Sequence, residues 1–135
     1  MLYSITYVSA AVRLFQRGEL ADLLEHGASN NRRRGITGLL LYIDGNFIQL
    51  IEGEKDVVSD LFEQIRLDPR HRTVITLTRG RIEQRHFANV SMGFIDGRRL
   101  PPSDRRAMLS LLDQTSIHPD VGKMLFQSFA NTMAL

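Results

Sequence analysis

The sequence predicts one α+β domain, in which a single β-sheet is covered by helices. Three observations predict this class. Apolar and polar residues alternate at the start of the chain, two apolar runs are joined by an Asp-Gly dipeptide, and segments with helical apolar spacing lie between the predicted strands. With 135 residues, 43% of them apolar, the chain has enough material for one hydrophobic core and too little for two.

The first quarter of the chain predicts a strand, a helix and a loop. Alternation predicts a strand over residues 2–8, with Tyr7 on its apolar face. Leucines at helical spacing predict a first helix over residues 16–27, and Gly27 is its expected C-cap. The polar residues 29–35 are then expected to form a loop.

The next segment predicts a hairpin and a second helix. Two apolar runs, residues 36–43 and 46–51, flank an Asp-Gly dipeptide, which is typical of tight hairpin turns. Asp56 is the expected N-cap of the second helix, which carries one apolar stripe. The residue before Pro69 is pushed out of the helical region, so the helix is expected to end there.

The remaining chain predicts two strands, residues 73–79 and 88–95, and two short helices, residues 103–113 and 119–131. The order β-α-β-β-α-β-β corresponds to a ferredoxin-like α+β sandwich with one additional strand. This arrangement puts the first two helices on one face of the sheet. The two C-terminal helices are too small to fold alone, so we expect them to pack on the open face.

Composition excludes several classes of function. The chain has 17 basic and 15 acidic residues, too even a balance for a tail-type nucleic-acid binder. It has no cysteine, and its four scattered histidines make a poor metal cluster. It lacks a charged leader and a membrane-length apolar run. We therefore expect a cytoplasmic protein with no metal, nucleic-acid or membrane partner.

A few polar residues do not fit a plain core. Gln49 interrupts an apolar strand, where a buried amide without partners costs about 1 to 3 kcal/mol. Either it faces solvent or is satisfied by Tyr7 or the backbone, or it is aimed at a bound polar ligand. Taken singly, Met92 indicates core filling and the pair Asn30 and Asn31 indicates a turn. A run of three arginines next to this pair is either solvated or touches phosphate or an acidic partner.

Four separated motifs resemble those of the BLUF family, which are flavin-binding blue-light sensors. The motifs, in chain order, are Tyr7, residues 30–40, residues 47–53 and residues 87–92. The resemblance covers about residues 1–96 and agrees with the predicted ferredoxin-like framework. It is the order and spacing of all four motifs that make the signal specific.

The resemblance implies a flavin bound between the first two helices, which would be FAD, or FMN or riboflavin in its place. By position, Leu23 and Ile65 would wall the two faces of the flavin ring. Asn31 would hydrogen-bond its pyrimidine edge, with Asn30 beside it, because amides both donate and accept. Arg66 would lie near the flavin phosphates.

The resemblance also implies the photochemistry. Tyr7 would be the electron donor, Gln49 the amide that switches, and Met92 the relay to the rest of the molecule. Two positions depart from the family pattern. Val90 stands where many relatives have tryptophan, which excludes a signalling scheme based on that ring, and Gln64 stands where some have a phosphate-binding arginine.

The predicted function is a blue-light photoreceptor without enzymatic activity, in which residues 1–96 bind the flavin and residues 97–135 form a helical extension packed on the same domain. Its expected partners are a separate effector protein and further copies of the chain. The alternatives are a BLUF-like scaffold without photoactivity, an acylphosphatase-like hydrolase and an RNA-recognition sheet. A yellow purified protein with a flavin spectrum would favour the first interpretation over the hydrolase and the RNA-binding sheet.

Overall fold

The structure is a computed structural model that describes residues 1–12, 17–112 and 121–133. The described strands are β1 (Leu2–Ala11), β2 (Thr37–Ile43), β3 (Asn46–Glu54), β4 (His71–Arg81) and β5 (Gly93–Asp96). The described α-helices are α1 (Arg17–Arg34), α2 (Lys55–Arg66), α3 (Pro102–Leu112) and α4 (Val121–Met133). The predicted order of strands and helices, and with it the ferredoxin-like α+β class, is confirmed.

The five strands form one sheet in the order β4-β1-β3-β2-β5. Neighbouring strands are antiparallel except β2 and β5, which are parallel. The β2–β3 turn has positive φ at both Asp44 (51°) and Gly45 (79°), the conformation that a two-residue hairpin turn requires. The predicted hairpin is therefore confirmed, and β1 and β3 lie side by side at the centre of the sheet.

The sheet has a separate hydrophobic core on each face. On one face Ile5 and Ile51 pack with Val58 and Phe62 of α2. On the other face a larger cluster joins side chains of the sheet to α3 and α4, and it includes Leu41, Ile48, Ile95, Met108, Leu111 and Leu125. The prediction that the C-terminal helices cover the open face is confirmed.

The end of the first helix was predicted wrongly. Helix α1 continues through Gly27 to Arg34, so residues 29–34 are helical and do not form a loop. The stop is at Gly35, with φ of +67°: its N–H donates to the Arg32 carbonyl at 3.4 Å, and the Ile36 N–H donates to the Asn31 carbonyl at 2.8 Å. These two bonds form a Schellman motif, for which glycine is the favoured residue.

Gly27 has a packing role inside α1. A Cβ built there would lie 2.6 Å from Cε and 2.9 Å from Sδ of Met92. Because glycine has no Cβ, the Met92 side chain can lie directly against the helix backbone. The glycine is thus explained by this close approach and not by a cap.

The last strand and the second helix also differ from prediction at their starts. Strand β5 begins only at Gly93, so Met92 precedes the strand instead of lying on it. The Val90 N–H turns back to the Phe87 carbonyl at 3.0 Å, which interrupts the extended conformation.

Helix α2 has Glu54 at its N-cap position, without a side-chain cap hydrogen bond. Asp56, the predicted N-cap, lies instead in the first turn, where the helix dipole stabilises a carboxylate.

The remaining boundaries agree within a few residues. Three predicted helix termini lie outside the described residues: the start of the first helix at 16, the end of the third at 113 and the start of the fourth at 119–120. Within the described part of the chain, no helix combines the length and the apolar character needed to cross a bilayer.

Candidate functional site

A cavity of about 220 Å³ lies between α1 and α2, above the central strands of the sheet. Its lining combines apolar side chains with amides and a few ionisable groups. The lining residues are Tyr7, Leu23, His26, Gly27, Asn30, Asn31, Leu40, Phe47, Gln49, Leu61, Gln64, Ile65, Asp68, Arg70, His71 and Met92. All the predicted site residues except Arg66 are among them.

Tyr7 and Gln49 are joined at the floor of this cavity. They are directly opposite each other in the antiparallel pairing of β1 and β3, and the Tyr7 hydroxyl donates a hydrogen bond to Gln49 Oε1. Tyr7 is 3% exposed and Gln49 is 5% exposed. Because Oε1 is engaged by Tyr7, the Nε2 donors of Gln49 are the part of the amide available to a ligand in the cavity.

The surroundings of Tyr7 keep its hydroxyl protonated. Burial raises the pKa of the Tyr7 phenol well above its usual range, and the nearby Asp68 carboxylate raises it further. The ring packs at 5.6 Å from the Phe62 ring and at 6.2 Å, edge-on, from the His71 ring. The phenol is therefore a neutral hydrogen-bond donor held in a fixed position.

The two predicted asparagines lie on the last turns of α1. Asn31 is 2% exposed, and its Nδ2 donates to the Ser91 carbonyl at 2.7 Å. Asn30 is exposed at the cavity rim, and its Oδ1 accepts a hydrogen bond from Arg33. The continuation of α1 past Gly27 is what brings both amides to the cavity.

The remaining predicted site residues fall into two groups. Leu23 on α1 and Ile65 on α2 line the cavity from the two helices, and Met92 reaches it from the segment before β5. Arg66 is not among the lining residues, and its guanidinium pairs with Glu63 at 3.0 Å on the exposed side of α2. Its assignment to the flavin phosphates stays a prediction.

Four ionisable residues of the lining were not predicted as site residues: His26, Asp68, Arg70 and His71. Asp68 and Arg70 form an ion pair, and the hydrogen bond from Arg70 lowers the pKa of the Asp68 carboxyl. His71 is held from both sides, by Ser9 Oγ at 2.9 Å from Nδ1 and by the Ile65 carbonyl at Nε2. The sequence signal for Asp68, Arg70 and His71 is the charged cluster around Pro69, and His26 on α1 lies outside it.

In the described part of the chain, no three histidine, aspartate or glutamate side chains are grouped so that they would hold a metal ion.

A comparison with known families decides the assignment. The family described as "Sensors of blue-light using FAD", abbreviated BLUF, matches residues 2–93, which is more than half of the chain. The chain belongs to the BLUF family. The family resemblance predicted from the sequence is thereby confirmed, and the family is one of blue-light sensors that use FAD.

Relatives of this BLUF chain include long and short proteins. Subunit beta of the photoactivated adenylate cyclase of Euglena longa is 38% identical over 86 residues, which are 64% of this chain and 10% of the cyclase. This chain therefore spans about a tenth of that relative. BlrB, a BLUF protein solved in its dark state, matches 98% of this chain and 97% of its own, with 30% identity and a TM-score of 0.81.

BlsA, solved in its photo-activated state, also matches nearly end to end. It covers 96% of this chain and 95% of its own, with 26% identity and a TM-score of 0.75. The likeness to BlrB and BlsA thus extends over the C-terminal helices as well as the region matched by the family.

The cavity lining fits the flavin that the BLUF family uses. Leu23 and Ile65 provide apolar surface on opposite helices, which suits the two faces of a planar ring. Asn31 and Gln49 provide amides, which suit a ring edge that alternates carbonyl and N–H groups because an amide both donates and accepts.

Proposed function

We propose that this chain is a blue-light photoreceptor in which light changes the hydrogen bond between Tyr7 and Gln49. The observation that carries the proposal is the buried Tyr7–Gln49 pair on the floor of the cavity. The Tyr7 ring packs in the core, but its hydroxyl and the Gln49 amide are costly to bury, and apolar packing requires neither of them. Their use is a chemical one.

In this proposal Leu23 and Ile65 wall the flavin ring, and Asn31 and Asn30 bind its polar edge. FAD is the proposed form, with FMN or riboflavin as substitutes. Arg66 is the proposed residue on the phosphate side, although it is Arg70 that lines the cavity. The proposal is supported by the four BLUF motifs and by the burial of Asn31 beside Ser91.

When bound and excited by blue light, the flavin supplies a strong one-electron oxidant. Tyr7 would give an electron to this oxidant and its hydroxyl proton to Gln49 Oε1, which already accepts that proton in a hydrogen bond, and Gln49 would stay neutral by releasing one Nε2 proton on the cavity side. In the dark both return to Tyr7. While the pair is perturbed, the Gln49 amide rotates or changes to its imidic tautomer, and either change reverses donors and acceptors without forming a covalent bond. Met92, packed against Gly27, is the proposed relay.

The proposed output is contact with a separate effector protein, with no enzymatic activity in this chain. BlrB and BlsA match this chain nearly end to end, whereas in the Euglena longa relative the matched region is a small part of a cyclase. Self-association and a cytoplasmic location, both expected from the sequence, are part of the same proposal, as is the division into residues 1–96 and 97–135.

The test is to mix the purified chain separately with FAD, FMN and riboflavin and to measure binding and the absorption spectrum in the dark and under blue light. We expect binding of FAD, a shift of the blue absorption band to longer wavelength in the light, and recovery in the dark. A chain that stays colourless with all three flavins would contradict the proposal and favour the scaffold alternative. A bound flavin whose spectrum is unchanged by light would refute the switch.

A further inference from the structure

Glu52 is a carboxylate with no exposed surface, three residues after Gln49 on β3. A buried charge is tolerated when it is hydrogen-bonded, and this one has three donors. Glu52 Oε1 accepts from the Phe87 N–H at 2.6 Å and from the Thr37 hydroxyl at 3.1 Å, and Oε2 accepts from the His86 N–H at 2.9 Å. The carboxylate therefore ties two consecutive backbone amides to the central strand.

Residues 87–92 lead from the Phe87 amide, which Glu52 holds, to the cavity. The Val90 N–H donates to the Phe87 carbonyl, and the Gly38 N–H donates to the Val90 carbonyl, both at 3.0 Å. The Ser91 carbonyl then accepts from Asn31, and Met92 lines the cavity. The 87–92 segment is thus fixed at its start by Glu52 and at its end by the cavity wall.

Glu52 and Gln49 point to opposite faces of the sheet, because side chains alternate along a strand. Gln49 faces the cavity between α1 and α2, and Glu52 shares the face of Leu50, on which α3 and α4 pack. Strand β3 therefore carries both Gln49, whose amide faces the cavity, and Glu52, which holds the start of the 87–92 segment.

The start of the 87–92 segment lies against α4. The Phe87 ring is 1% exposed, and its centroid is 5.6 Å from the Phe126 ring and 5.8 Å from the Phe129 ring of α4. A Cβ at Gly93 would lie 3.1 Å from Phe129, so α4 packs closely where the segment enters β5. Phe87 thus makes both contacts: its backbone N–H donates to Glu52, and its ring packs against α4.

We propose that Glu52 is a positioning residue that couples the cavity to α4 through the 87–92 segment. The segment is short and held at both ends. A displacement of Ser91, which Asn31 holds, therefore also moves the Phe87 ring. The output element is then α4, contacted through Phe87. This inference rests on the proposed function, since light at the flavin site provides the displacement.

The test uses the full chain loaded with FAD and compares hydrogen exchange of the α4 amides in the dark and in the light. The Glu52→Gln variant keeps the side-chain volume but replaces one acceptor oxygen by an NH₂ donor, which faces a backbone N–H donor. We expect this variant to keep the spectral red shift and to lose most of the light–dark difference in α4. Glu54→Gln is the matched control, because Glu54 is on the same strand but exposed, and it is expected to behave as the unmodified chain.

A second variant, Phe87→Leu, keeps the backbone amide that Glu52 holds and removes the aromatic contact with α4. It is expected to keep the red shift and to reduce the light–dark difference in α4 in the same way. If the role of Glu52 were only structural, α4 exchange in its variant would rise equally in dark and light and the difference would persist. That persistence would overturn the proposal.

Two further results would also count against it. A normal red shift in the unmodified chain without any light–dark difference in α4 would show that α4 is not the output element, while the photoreceptor function would stand. An unmodified chain that binds FAD without a red shift would refute the proposed function itself, and this inference would fall with it.

Discussion

Tyr7 and Gln49 illustrate how two polar side chains are kept in an apolar interior. Each would be costly to bury alone, and each satisfies the other because β1 and β3 place them directly opposite. Burial and the Asp68 carboxylate both favour the protonated phenol. The pair is therefore stable in the dark and provides a proton that moves only when Tyr7 is oxidised.

Replacing Tyr7 by phenylalanine removes the hydroxyl with little change in volume. We expect Tyr7→Phe to bind FAD as the unmodified chain does and to lose the red shift, because the electron and proton donor is gone. Absorption spectra in the dark and under blue light measure this. Tyr3→Phe is the control, since Tyr3 lies on the same strand and its hydroxyl accepts from Arg79 at 2.9 Å, away from the cavity lining. A normal red shift in Tyr7→Phe would mean that another residue supplies the electron.

The raised pKa of Tyr7 also predicts a pH dependence of stability. The folded chain holds the phenolic proton more tightly than the unfolded chain, whose tyrosine pKa is about 10. The resulting stabilisation is complete below that pH and is lost as the pH rises above it. Urea unfolding in the dark between about pH 8 and about pH 11 should therefore show a steeper alkaline loss of stability in the unmodified chain than in Tyr7→Phe. Parallel curves for the two proteins would contradict this account.

Some site residues were predictable and others were not, for physical reasons. The Tyr7–Gln49 pair follows from strand alternation and from the adjacency of β1 and β3 in this topology. Asp68 and His71 reach the cavity only because the chain turns back after α2 and β4 begins at His71, earlier than the predicted residue 73. His71 is also held by a tertiary contact, the hydrogen bond between its Nδ1 and Ser9 Oγ, which lies 62 positions away and which local sequence does not encode.

Among the secondary-structure elements, α1 departs most from its prediction, and the reason lies in its two glycines. Gly27 has the sequence signature of a C-cap, but its missing Cβ serves the contact with Met92, over 60 residues away in the chain. Gly35 is the actual stop, with positive φ. A local pattern cannot distinguish these uses, because a glycine needed for close packing and one needed for φ look the same in sequence.

The Schellman stop of α1 predicts a measurable cost for a Cβ at Gly35. The left-handed conformation costs a non-glycine residue about 1 to 2 kcal/mol, so Gly35→Ala should lower the free energy of unfolding by about that amount. Gly18→Ala is the matched control in the first turns of the same helix, where a Cβ would have no heavy atom within 4 Å. It should leave stability unchanged or raise it slightly. Urea unfolding measures both, and equal effects of the two substitutions would contradict the assigned helix end.

For the molecule as a whole, the two faces of the sheet carry different features. One face carries the cavity and the smaller core beneath α2, and the other carries the larger core that joins the sheet to α3 and α4. Pattern and topology were enough to predict this division, because two helices on one face leave the other to be covered. Sequence could not show how the faces are linked, since the 87–92 segment is held by residues far away in the chain: Glu52 and Phe87 are 35 positions apart, and Asn31 and Ser91 are 60 apart.

The shared core predicts the result of removing the C-terminal helices. A chain ending at residue 96 would expose the apolar side chains that Met108, Leu111 and Leu125 now cover. We expect it to bind a hydrophobic dye strongly and to aggregate, because large exposed apolar patches promote association. Dye fluorescence and sedimentation measure this, with the full chain as control. A truncated chain that stays monomeric and dye-free would show that residues 97–135 form a separate unit.

The central claim is that light acts through the amide of Gln49. The most direct measurement is the light-minus-dark absorption spectrum of the FAD-loaded chain beside those of Gln49→Leu and Gln64→Leu. Both glutamines line the cavity, but only Gln49 is hydrogen-bonded to Tyr7, whereas Gln64 Oε1 accepts from Arg34 at 3.4 Å on the exposed side. We predict a red shift in the unmodified chain and in Gln64→Leu, and none in Gln49→Leu despite bound FAD. A normal red shift in Gln49→Leu would contradict the account.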